Sequence, residues 1–264
     1  MPELPEVETI VRELRSCVSG KSISRVREFR TGTIENRVGG TTIGEINEIS
    51  RRGKYICILT AGQIKLIIHL RMTGKLIYEA NPDMSSDHCR AEIEFSDATR
   101  LLFDDIRTFG TIVIAPATDN VPGIQSLGPE PLSQAFSPDY LAKTAAGRKA
   151  PIKNLLLNQE VVAGLGNIYA AEILYRCRID PRRESNCLTD HEIASMVQNT
   201  KQVLAEAIAN NGTTVSDYAR IDEKKGTFQN FLRVYKKEKC SCGKDISKIK
   251  MAGRSTWFCP ACQH

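Results

Sequence analysis

The sequence predicts an α+β protein whose first half is a β-sandwich or barrel and whose second half is helical, closed by a small cysteine module. Short β-branched segments punctuated by Gly, Asp and Asn run from residue 43 to residue 115. At LGPEPL, residues 127–132, a glycine and two prolines end that pattern, and apolar residues then recur at helical spacing. The third observation is the crowding of Cys240, Cys242, Cys259 and Cys262 at the end, apart from the scattered Cys17, Cys57, Cys89, Cys177 and Cys187.

Taken in order, Val7, Ile10, Val11 and Leu14 form an apolar stripe that predicts an amphipathic helix over 6–14. Strands are expected at 43–49, 54–59, 63–70, 91–95, 99–103 and 111–115, each bounded by turn residues. Helical period returns over 140–157, 169–177 and 191–209. The glycine-rich GLGN at 164–167 lies between apolar helical stretches, so its exposed backbone N–H groups suit a phosphate. Residues 210–226 lack periodicity and read as a mobile loop. Beyond it, 16 residues separate Cys242 from Cys259, a spacing that fits one structural, tetrahedral Zn2+ fixing a hairpin too small to fold on its own core. Redox-reactive thiols are the alternative.

Composition narrows the function classes. With 264 residues and 41% hydrophobic content the chain can bury a core of two domains. An excess of 36 Lys and Arg over 31 Asp and Glu gives a formal charge of +5, which tilts towards anionic partners. MPELPEVETI has neither the basic start nor the apolar run of a secretory signal, and no stretch approaches the roughly 18 apolar residues of a membrane span. A cytoplasmic, nucleoid-associated setting without membrane contact is expected, with thiols reduced.

Proline at position 2 suits removal of the initiator Met1, which would expose a secondary amine. An α-amino group titrates near pH 8, so part of it is neutral and nucleophilic at pH 7. Glu3 and Glu6 stand beside it in sequence and could shuttle protons, although prolines and acids also suit the start of a helix. Arg51, Arg52 and Lys54 make a cationic edge that could face phosphates.

PELPEVET, RRGKY (51–55), HLRMTGKL (69–76), DIRTFG (105–110), LGPEPL, VVAGLGNIYAAEIL (161–174), NGTT (211–214), GTFQNFLRVY (226–235) and the cysteine module follow one another along almost the whole chain. In that order they resemble the formamidopyrimidine-DNA glycosylase family, on its oxidised-purine branch. The resemblance implies a β-sandwich catalytic domain with an N-terminal helix over 1–127, a helix-two-turn-helix DNA-binding domain over 128–226, and a β-hairpin zinc finger over 227–264. It implies a monomer that acts on double-stranded DNA containing oxidised purines or abasic sites. Pro2 is the implied nucleophile, with Glu3, Lys54 and Arg254 as its catalytic partners. His69, Lys153 and Asn167 are the implied DNA contacts, and Met72, Arg107 and Phe109 would fill the hole left by a flipped base.

Two departures stand out. Ser86 falls where the family carries a DNA-contacting histidine, in Ser85-Ser86-Asp87-His88, so that role is not carried over. Cys240-Ser241-Cys242 is one residue shorter than the expected knuckle, which leaves Lys239 at the usual ligand position. Four-cysteine ligation by local rearrangement is expected. Two competing readings are a relative specific for oxidised pyrimidines and a zinc-finger DNA binder without catalysis. The lesion pocket is expected partly in the variable loop 215–226.

Overall fold

A computed structural model describes residues 1–40, 43–80, 86–213 and 226–264. Its contacts group into two compact units, residues 1–125 with 210–227, and residues 126–209 with 228–264. The helical stretch and the cysteine module, expected as separate domains, thus share one unit.

In the first unit, helix α1 (Leu4–Val18) is longer than its apolar stripe suggested because it is well capped. The Glu6 carboxylate accepts the Glu3 N–H at 2.8 Å in a reciprocal capping box, and Pro5 sits in the first turn. Val7, Ile10, Val11, Leu14 and Val18 are buried along one face, and each such side chain contributes about 1.5–3 kcal/mol.

The strands are β1 (Ser22–Glu28), β2 (Ile34–Asn36), β3 (Gly44–Arg52), β4 (Tyr55–Thr60), β5 (Ile64–His69), β6 (Lys75–Glu79), β7 (Cys89–Phe95), β8 (Arg100–Asp104) and β9 (Thr111–Pro116). They form two layers in the orders β2-β9-β5-β4-β3 and β1-β7-β8-β6, joined where Ser22 and Ile23 of β1 pair with β3. That settles the choice between sandwich and barrel. Pairing is antiparallel except between β2 and β9. Alternation places Ile56 and Ile58 of β4 in the core, which they share with Ile10 and Phe103.

In the second unit, the expected helix over 140–157 is two helices, α2 (Pro138–Ala145) and α3 (Ile152–Leu157). The break has a covalent cause. Gly147 turns with φ +73°, and Pro151 has no N–H to continue a helix. Helices α4 (Asn167–Arg176) and α5 (Asp190–Ala209) and the hairpin β10 (Ser247–Met251) with β11 (Arg254–Phe258) complete the unit. No described helix is long and apolar enough to cross a membrane.

Candidate active site and metal centre

Pro2 is buried immediately before Glu3, the N-cap of α1. Glu3 and Glu6 are buried too, but their carboxylates do different things. Glu6 accepts the Glu3 N–H with Oε2, and with Oε1 it accepts the Thr213 N–H at 2.8 Å and the Thr213 hydroxyl at 3.1 Å. It therefore ties the helix start to the NGTT segment.

Lys54 occupies the two-residue turn between β3 and β4, where Arg52 pairs with Tyr55, and it is only 7% exposed. It is not a solvated surface lysine. The expected cationic edge is smaller than its sequence, because Arg51 Nε donates to Glu8 of α1 at 3.0 Å.

His69 ends β5 opposite Tyr55, and the two rings meet edge to face at 4.5 Å. Its Nδ1 accepts the Arg71 N–H at 3.0 Å, so the proton of the neutral ring is on Nε2. Burial lowers its pKa to about 3, with the Arg71 and Lys54 cations adding to the effect. The ring can offer one N–H to an anionic oxygen while carrying no charge.

Met72, Arg107 and Phe109 are all exposed, on two turns that share a buried clamp. The Gly74 N–H closes the first turn on Leu70 O at 2.9 Å. Asp105 is fully buried. It accepts the Thr73 hydroxyl and the Arg107 N–H with Oδ1, and the Gly110 N–H at 2.7 Å with Oδ2. A Cβ on Gly110 would stand 2.4 Å from the Phe103 ring, so only glycine closes the second turn. Arg107 lies over the Phe109 ring at 5.1 Å. Ser86 is hydrogen-bonded to Asp104, whereas His88 is exposed; Ser85 lies outside the described residues.

In the second unit, Gln159 pins the glycine-rich turn by donating to Leu157 O and Leu165 O and accepting from the Gly164 N–H. Asn167 opens α4, and its amide donates to Ser255 O at 2.9 Å. Lys153 is 1% exposed, with its ammonium on Thr256 Oγ1 and Ser255 O. Both therefore hold β11 at the residues after the exposed Arg254, which follows the two-residue turn of the hairpin.

The thiols of Cys240, Cys242, Cys259 and Cys262 lie within 4.8 Å of one another. Cys240 and Cys262 are 3.8 Å apart, and Cys242 and Cys259 are 3.7 Å apart. A tetrahedral zinc with bonds of about 2.3 Å requires sulfur separations of about 3.8 Å, so the four residues fit. The short knuckle reaches this arrangement through a tight turn in which Gly243 N–H donates to Cys240 O and Cys240 N–H to Lys244 O. Lys239 pairs with Asp245.

Residues 1–112 match the formamidopyrimidine-DNA glycosylase N-terminal domain, residues 127–219 the H2TH domain of the same glycosylase, and residues 237–264 a zinc finger found in FPG and IleRS. A formamidopyrimidine-DNA glycosylase of Pelotomaculum thermopropionicum is 41% identical over 273 residues, covering 100% of this chain and 99% of the relative. The chain belongs to the formamidopyrimidine-DNA glycosylase family. The MutM (FPG) protein of Thermus thermophilus shares its fold with a TM-score of 0.90 at 37% identity, over 99% of this chain and 98% of that one. Lactococcus lactis Fpg, solved with DNA containing an abasic site, gives 0.91 at 35% identity over 99% of each chain.

As in that glycosylase family, the four cysteines form a zinc finger, and the shortened knuckle is no obstacle to it. Two buried acids of this glycosylase lie inside the motifs VVAGLGNIYAAEIL and DIRTFG but were given no role from the sequence. Glu172 of α4 accepts the N–H groups of Arg233, Val234 and Tyr235 at 2.8, 3.0 and 2.8 Å, and burial raises its pKa. Asp105 is the other. A signal for Glu172 exists, a lone acid in the apolar run AAEIL, but its backbone partners lie some 60 residues away.

Proposed function

We propose that this chain is a bifunctional DNA glycosylase and abasic-site lyase that removes oxidised purines, 8-oxoguanine and formamidopyrimidines, from duplex DNA with the amine of Pro2. The observation that carries the reading is the N-terminus itself: Pro2 stands directly before a helix whose first turn is held by Glu6, with Glu3 beside it. Family membership and the Lactococcus relative, solved with Fapy-dG DNA and with abasic-site DNA, support the substrate class.

In this scheme Met1 is removed, and the neutral Pro2 nitrogen attacks C1′ of the lesion nucleotide. The N–C1′ bond forms as the glycosidic bond breaks and the base leaves. Glu3 protonates the ring oxygen as the sugar opens to a Schiff base on Pro2. Successive β and δ eliminations then break both phosphate linkages, leaving a one-nucleoside gap with phosphate at both ends. Lys54 and Arg254 bind phosphates through these steps, and a planar guanidinium suits that task. Met72, Arg107 and Phe109 enter the duplex, with Arg107 donating to the orphaned base. His69, Lys153 and Asn167 contact the backbone, Lys153 and Asn167 from positions that also secure the finger hairpin. Zinc performs no chemistry; Cys240, Cys242, Cys259 and Cys262 hold it so that Arg254 keeps its place. The protein works as a monomer in the cytoplasm, at the nucleoid. The expected lesion-pocket loop, 215–226, falls outside the described residues except for Gly226.

Borohydride trapping on an 8-oxoguanine:cytosine duplex tests the reading. A covalent adduct is expected with the processed protein and none with Pro2→Gly or with Met1 retained. A processed, zinc-loaded protein that yields no adduct would mean the nucleophile is wrongly assigned.

A further inference from the structure

Helix α4 grips the cysteine module at three levels. Asn167 at its start holds Ser255 O, Glu172 in its middle holds the N–H groups of 233–235, and Tyr175 near its end reaches the metal ligands. The Tyr175 hydroxyl lies 3.1 Å from Cys240 Sγ and 3.1 Å from Ser241 Oγ. A zinc-bound thiolate carries no proton, so the phenol must donate to the sulfur, and Ser241 can donate in turn to the phenol oxygen. The Cys240-Ser241-Cys242 knuckle has one residue between its thiols where Cys259 and Cys262 have two, and the Cys240 sulfur takes the Cys242 N–H where the Cys259 sulfur takes those of Ala261 and Cys262.

We propose that Tyr175 is a positioning residue of the zinc centre, whose O–H···S hydrogen bond replaces the donor missing from the short knuckle and locks Cys240 in ligand geometry. Partners of this kind fix ligand orientation, and their loss typically costs about 10–100-fold in metal affinity. Tyr175 lines a cleft of about 350 Å³ together with Arg176, Glu206, Arg233 and Ser241.

The test uses the full chain with zinc, and with cobalt(II) in its place. Tyr175→Phe removes one oxygen and is expected to weaken zinc binding about tenfold in chelator competition. Its thiolate-to-cobalt charge-transfer band should move to longer wavelength, because the sulfur lone pair loses a stabilising proton. Ser241→Ala keeps the Tyr175 contact and should change either quantity less than about twofold. Should Tyr175→Phe fail to fold, the wild-type chain with 3-fluorotyrosine, a stronger donor, should shift the band to shorter wavelength. A zinc affinity and cobalt band that ignore Tyr175→Phe, a fluorinated chain whose band stays put, or a full loss in Ser241→Ala would each overturn the proposal. A wild-type chain without a four-thiolate cobalt spectrum would overturn it together with the zinc-finger reading.

Discussion

His69 shows how far the environment of one side chain can depart from what its neighbours in sequence suggest. In HLRMTGKL the resemblance implied only a DNA contact; in the fold it is 7% exposed and bound through Nδ1. Its pKa of about 3 lies below the unfolded value near 6.5, so below pH 6.5 the unfolded chain binds a proton that the folded chain refuses. Stability should therefore fall as pH drops from about 6.5 towards 3, by up to about 1.4 kcal/mol per unit from this ring. Urea unfolding across that range should show a shallower slope in His69→Gln; equal slopes would mean the ring is protonated when folded. Lys54 makes the complementary point. Its neighbours Arg51 and Arg52 suggested an exposed cationic edge, but Lys54 is 7% exposed and its cation acts on His69, 15 residues along the chain.

At the level of elements, what could be read in advance was whatever had a strong period. Val7, Ile10, Val11 and Leu14 marked α1, and short β-branched runs between turn residues marked β4 and β9. Strand β1 escaped because SISRVRE carries two arginines, Arg25, which is exposed, and Arg27, which pairs with Glu94 on β7. The turns bearing Met72, Arg107 and Phe109 were legible as motifs, but the Asp105 clamp beneath them was not, since it joins residues 32 apart. Asp105→Asn replaces an acceptor with a donor facing N–H groups. It should lower stability by about 2 kcal/mol and weaken binding to lesion duplex about tenfold. Denaturation and fluorescence anisotropy would measure both, and unaltered anisotropy would show that the two turns hold their shape without the clamp.

For the molecule as a whole, the proposed phosphate grip of Arg254, held in place by the zinc finger, can be tested through charge. Removing one phosphate contact reduces the salt dependence of binding by about one unit on a log–log plot. Arg254→Ala should show that single-unit loss, and zinc removal by chelation a larger one, with α2 to α5 still helical by circular dichroism. A salt slope unchanged by chelation would separate the finger from DNA binding. Three consecutive segments match the family models, and by their contacts they group into two units, with residues 210–227 returning to the first. Glu6 and its partner Thr213 are 207 residues apart. At roughly 5–20 residues per second, the ribosome takes about 10–40 s to supply that partner. In the completed structure Met1 is half-buried and Pro2 is covered. Removal of Met1, which the proposed nucleophile requires, thus becomes a matter of timing: a chain that folds untrimmed should resist the peptidase afterwards.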